Sequence, residues 1–139
     1  AQMEALENGY DSAIFMNSQG KIAEGPGSCL FIIRDGVLIT PPVTASILES
    51  ITRNTIIELA RDVLNIEVIG RDIDRTELYI CDEAFLCGSA MEVVSVLNVD
   101  GISVGEGNSG ELTKSIRSIY LNVVRGEIDC YERWLTPIY

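Results

Sequence analysis

Three short segments place reactive residue types where the backbone pattern breaks. In Glu24-Gly25-Pro26-Gly27-Ser28 a carboxylate stands beside two glycines, and glycine lets a ligand approach the backbone closely. Ser50-Ile51-Thr52 opens a predicted helix, whose free N–H groups and dipole attract an anion; the Thr52 hydroxyl adds one donor suited to a phosphate. In Cys87-Gly88-Ser89-Ala90 small residues bend the chain between two apolar strands and leave room for a ligand. Each segment also has a plain alternative. Glu24 suits a solvated turn, Thr52 suits an N-cap worth about 1 kcal/mol, and the Gly88 bend suits tight packing.

The remaining composition narrows the chemistry. Histidine is absent, which removes Ser-His-Asp and Cys-His catalysis and most zinc sites, so no metal is expected. Reactivity falls to carboxylates, hydroxyls, thiols, a cofactor, or one of the two lysines, Lys21 and Lys114. Cys29, Cys81, Cys87 and Cys130 form no C-x-x-C pair and no dense framework, and read as free thiols in a cytosolic core. Ten basic and 21 acidic residues give a net charge of −11, which speaks against a nucleic-acid surface and against an anionic membrane. The 139 residues, 47% apolar and 22% charged, suit one domain with a proper core. No apolar run reaches the about 18 residues of a membrane span, and AQMEALENG has no signal-peptide pattern.

The elements that must position the three segments are short. Met3, Leu6 and Gly9 read as the last turns of a helix with its glycine cap, which predicts that the chain is a fragment. Residues 12–16 are strand-like, 17–20 turn, and 21–24 return as a hairpin. Residues 29–34 form a buried strand, and Asp35-Gly36 turns it into 37–39. After Pro41-Pro42, helical spacing of Ile56, Ile57, Ala60, Val63 and Leu64 predicts a helix over 52–64 with Thr52 as N-cap. A short strand at 66–71, a capped helical turn at 74–77, strands at 84–87 and 92–99, and an Asp100-Gly101 turn into 102–104 follow. The last helix spans 110–125, with Leu112, Ile116, Ile119, Tyr120, Val123 and Val124 on one face and Gly126 as its stop. The class is α+β, with a mixed or mainly antiparallel, barrel-like sheet flanked by helices.

Taken in order, EGPGSCLF (24–31), TPPVTASILESITRNTI (40–56) and ELYICDEAFLCGSAMEVVSV (77–96) resemble the pyridoxal-phosphate enzymes of fold type IV, most closely the branched-chain amino-acid aminotransferases. The likeness extends to NGYD-x-A at 8–13, VDG-x-x-VG-x-G at 99–107, Thr113-Lys114, and a W-L-T-P tail at 134–137. The resemblance implies a single C-terminal cofactor-binding domain over 1–139 that takes pyridoxal 5′-phosphate. It makes Glu24 the carboxylate facing the pyridine nitrogen, and sets Leu48 against a ring face. It gives the phosphate to Ile51, Thr52 and Ser89, the last standing where the family usually has threonine. Gly88, Ser89 and Ala90 would border the substrate carboxylate.

The chain departs from the family at Ser28-Cys29, where many relatives have Glu-Asn, and at Ser50, where many have glycine. The first change loses an amide that braces the cofactor loop; the second adds a side chain near the phosphate. The resemblance also puts the Schiff-base lysine shortly upstream of Ala1, and the small N-terminal domain upstream as well. Lys21 and Lys114 match ordinary positions, so no residue of the chain is assigned as catalytic and the isolated chain is expected to be inactive. The implied parent is a cytoplasmic homodimer exchanging an amino group between leucine, isoleucine or valine and 2-oxoglutarate. A D-amino-acid transaminase or an aminodeoxychorismate lyase of the same fold would share Glu24 and Thr52, and a non-catalytic domain could keep the fold; the tail over 120–139 favours the branched-chain enzymes.

Overall fold

The computed structural model describes residues 1–135, apart from the side chains of Cys130 and Glu132; Thr136 and Pro137 of the tail motif lie outside the described residues. The main sheet has six strands. They are β1 (Glu24–Gly25), β2 (Ser28–Arg34), β3 (Val37–Thr40), β4 (Val68–Gly70), β5 (Glu83–Gly88) and β6 (Glu92–Ser95). Their order is β4-β3-β2-β5-β6, with β1 also on β2. All pairs are antiparallel except β3 with β4. That parallel pair needs a crossover, which α2 (Ile51–Asp62) supplies. The chain is therefore α+β with a mixed sheet.

The central strands β2 and β5 bury both faces, which explains their unbroken apolar runs. Cys29, Phe31, Ile33, Phe85 and Cys87 point into one cluster beneath α2 and α4 (Glu111–Val124). Leu30, Ile32, Ala84 and Leu86 fill a second cluster on the opposite face. The register partners Phe31 and Phe85 stack with ring centroids 5.0 Å apart, locking the two strands in phase. Both Asp-Gly turns fold as expected, with positive φ at Asp35, Gly36, Asp100 and Gly101.

Several expectations are corrected. Residues 12–16 make no sheet strand: they meet the returning chain through one bridge, Met16 to Ile22, and hydrogen bonds such as Phe15 N to Glu24 O at 2.7 Å. The returning chain is drawn inward instead, where Ile22 is buried and its N–H donates to Ile73 O. The strand expected over 92–99 divides into β6 and β7 (Asn98–Val99), because β7 leaves the sheet to pair with β8 (Ile102–Ser103). The helical turn expected at 74–77 starts later, as α3 (Glu77–Ile80), and Thr76 before it makes no side-chain cap. Thr52 is not the N-cap of α2. Ser50 holds that place, with extended backbone and its Oγ accepting Arg53 N–H at 3.2 Å, while Thr52 lies inside the first turn and is buried.

A long-range cap holds α4. Its N-cap residue is Gly110, which has no side chain to offer. Glu83, at the start of β5, fills that role by accepting Leu112 N–H at 3.1 Å, Thr113 N–H at 2.7 Å and the Thr113 hydroxyl at 2.6 Å. A Cβ at Gly110 would lie 2.0 Å from Glu83 Cδ, so the carboxylate occupies the space a side chain would need.

Candidate functional site

The candidate site grows from an unusual edge of β2. On one side β5 pairs with residues 29–33; on the other β1 takes the first two residues and β3 the last three. Between β1 and β3 the Leu30 carbonyl accepts the buried Thr40 hydroxyl at 2.9 Å. Across the sheet Glu24, Cys29 and Cys87 lie in one register row, and residues directly opposite share a face. Glu24 therefore stands at the sheet edge on the side covered by α2.

The loop from β3 into α2 closes over that edge. Leu48 N–H donates to Glu24 Oε2 at 2.9 Å, and Cys29 Sγ lies 4.0 Å from the Leu48 carbonyl. Leu48 and Ile51 are 76% and 86% exposed, a costly placement for two large apolar side chains at one loop–helix junction. Ile51 and Thr52 are the first two helical residues, whose N–H groups have no acceptor within α2. Because Ser50 already takes the Arg53 N–H, the open donors of this helix end are those of Ile51 and Thr52.

The third segment meets the first through glycine. β5 ends at Gly88, where a Cβ would come 2.8 Å from the Gly27 carbonyl, so a side chain there would drive the two loops apart. Ser89 and Ala90 follow, exposed, in the tight connection to β6, and Glu92 closes that turn with φ of +61°. Thus the Glu24, Leu48–Thr52 and Gly88–Ala90 segments gather at the start of β2, from positions far apart in sequence. Lys21 is paired with Asp74 and Lys114 with Glu111. A cavity of about 1020 Å³ between α1 (Gln2–Glu7), residues 12–16 and the β6–β7 chain is lined by none of Glu24, Leu48, Ile51, Thr52 and Ser89. Among the described residues no group of three or more Cys, Asp or Glu is placed to hold a metal.

Arg53 is a residue the sequence did not single out. It is only 7% exposed; Nη2 donates to the Pro41 carbonyl at 3.1 Å and Nη1 to Asn54 Oδ1 at 3.3 Å. Its Nε has no acceptor, and among the described residues no carboxylate reaches it within 4.0 Å. The signal was its spacing: Arg53 lies three residues before Ile56 and so shares the inward face of α2.

Three thiols are buried, Cys29 and Cys87 beneath α2 and Cys81 in the opposite cluster. Burial pushes Cys87 up to about 12 and Cys81 up to about 11, and raises Cys29 as well, although Ser50 and Arg53 draw Cys29 down. Since the thiolate is the nucleophile, iodoacetamide at pH 8 should leave all three unmodified in the folded protein and label them in urea, as read by mass spectrometry. Labelling of Cys87 at native conditions would contradict its burial. The same groups set an alkaline limit. With folded values above the ordinary 9.0, their contribution to stability is complete below 9.0 and is lost as pH rises toward 11 and 12.

Residues 1–99 match the family model described as amino-transferase class IV. Over all 139 residues the chain is 50% identical to a probable branched-chain-amino-acid aminotransferase of Aquifex aeolicus, covering 45% of that protein. It is 44% identical over 97% of its length to the branched-chain-amino-acid aminotransferase of Escherichia coli K12, covering 43% of that protein. The branched-chain amino acid aminotransferase of Thermobaculum terrenum, solved in its PLP form, superposes with a TM-score of 0.96 at 52% identity, over 99% of this chain and 45% of that one. The branched-chain aminotransferase of Thermoproteus uzoniensis, solved with norvaline, gives a TM-score of 0.95 at 44% identity, over 100% of this chain and 46% of that one. The chain thus spans about half the length of the relatives it matches.

Proposed function

The chain belongs to the class IV aminotransferases, and from that premise we propose that it is the C-terminal, cofactor-binding portion of a pyridoxal-phosphate-dependent branched-chain amino-acid aminotransferase. Support for that substrate class over D-amino acids or aminodeoxychorismate comes from the branched-chain relatives, which match along the whole chain. The observation that carries the cofactor reading is the Glu24 carboxylate, tied to Leu48 N–H at the very loop that leads into the open end of α2.

The residues suit that group. Ile51 and Thr52 N–H and the Thr52 and Ser89 hydroxyls would hold its phosphate, Leu48 would pack against its ring, and Glu24 would keep the pyridine nitrogen protonated. When bound, the cofactor supplies an electron sink for the electrons released as the amino acid loses its Cα proton. Gly88, Ser89 and Ala90 would border the substrate carboxylate, in a segment whose Gly88 lies close against Gly27. The lysine that bonds the cofactor, and the small domain that closes the pocket, belong to the protein upstream of Ala1. The reading extends to a homodimer in the cytoplasm acting on amino acids and 2-oxo acids. Exposed Met3, Leu6, Leu48 and Ile51, which a further surface would cover, support the assembly, and buried free thiols suit the compartment. Among the described residues no helix is long and apolar enough to cross a membrane.

The test is a thermal melt of the 139-residue chain with and without pyridoxal 5′-phosphate, beside an assay with leucine and 2-oxoglutarate. The expected result is a cofactor-dependent rise in Tm, smaller for the double variant Thr52→Val/Ser89→Ala, and no turnover. Equal melts with and without cofactor contradict the reading, as does turnover supported by Lys21 or Lys114.

A further inference from the structure

We propose that Arg53 is the fixed counter-charge of the anion site at the head of α2, a positioning residue that decides how strongly a phosphate is held there. The inference deepens the cofactor reading above and rests on it. Its ground is an electrostatic imbalance within one helical turn. Arg53 is more than nine-tenths buried, both of its hydrogen-bond acceptors are neutral, and its Nε has none. A buried cation is stable only when paired, and breaking such a pair is strongly unfavourable. A cation in the first turn also opposes the helix dipole, and α2 carries no acidic residue in that turn.

The missing partner is not for want of acids, since the chain holds 21 of them. The nearby groups do not serve. Among the described residues no carboxylate, Glu24 included, comes within 4.0 Å of Arg53, and Cys29 and Cys87, which feel the guanidinium, are kept neutral by burial. What remains is a ligand anion on the free N–H groups of Ile51 and Thr52, the residues just before Arg53. The guanidinium acts on that anion through space, from inside the fold, and the Pro41 bond fixes it there by tying the end of β3 to the first turn of α2. A phosphate therefore meets a cation it does not displace from water, and its charge is balanced without an exposed lysine or arginine from this segment.

The test compares two ligands that differ only in the phosphate, pyridoxal 5′-phosphate and pyridoxal, by equilibrium dialysis against wild type, Arg53→Gln and Arg53→Lys. Wild type should prefer the phosphorylated ligand. Arg53→Gln should lose about tenfold or more of its affinity for pyridoxal 5′-phosphate and stay within about twofold for pyridoxal, and Arg53→Lys should recover most of the loss. A folded Arg53→Gln protein that keeps the wild-type preference overturns the proposal, and so does an equal loss of both ligands, which marks a merely structural role. If Arg53→Gln does not fold, Arg53→Met replaces it with the same readings, since an apolar side chain of similar length carries no buried charge. A wild-type protein that fails to discriminate the two ligands refutes the cofactor reading itself, whatever the variants do.

Discussion

On the proposed cofactor reading, Glu24→Gln should lower transamination by the full-length aminotransferase by on the order of 10²-fold, the scale of a lost electrostatic contact to developing charge. The substitution separates two roles of one side chain. Glutamine Oε1 still accepts the Leu48 N–H, so the loop into α2 keeps its anchor and the fold and cofactor affinity are largely retained. A neutral amide cannot keep the pyridine nitrogen protonated, so the ring withdraws electrons less well. The measurement is kcat for leucine with 2-oxoglutarate, with cofactor content checked by absorbance. A wild-type rate would reduce Glu24 to a turn residue that anchors Leu48.

Glu83→Ala destabilises the fold by about 2–4 kcal/mol, because one carboxylate makes three hydrogen bonds to the first turn of α4 and no other cap stands in for it. The loss reaches the core, since α4 buries Ile116, Tyr120 and Val123 against the sheet. Urea unfolding should show the midpoint falling with little change in slope. Gly110→Ala should act in the same direction by forcing Glu83 aside. A Glu83→Ala protein with the wild-type midpoint would show that water caps α4 equally well.

These two residues mark what the chain discloses of itself. Glu24 stood out because the glycines around it break a strand pattern, and the apolar faces of α2 and α4 and both Asp-Gly turns follow from local spacing. Glu83 gave no such signal: it caps a helix from about thirty positions away, and only the β2–β5 register brings it there. The N-cap of α2 was misplaced at Thr52 for a different reason. Ser50 and Thr52 are both good caps, and the choice fell to where extended backbone ends after the Pro41-Pro42 loop. Arg53 drew no reading because arginine is usually exposed; it is buried here with a bond to the Pro41 carbonyl, which local sequence does not bring near. Residues 92–99 kept an apolar pattern through the point where β7 leaves the sheet, a departure that pairing with β8 imposes.

The shared edge of β2 has a kinetic meaning. β1 and β3 reach one edge of β2 through short local connections, but the Gly88 segment comes to the start of β2 from the other edge, only when β5 has paired across the chain between residues 29 and 87. Closing so long a loop is among the slow steps of folding, because its entropy is lost before the contacts form. The meeting of the Gly88–Ala90 segment with Glu24 and Thr52 therefore waits on the pairing of β5 with β2. A ligand that needs all three segments has nothing to hold until that pairing is made, so it stabilises the native form and not the open chain.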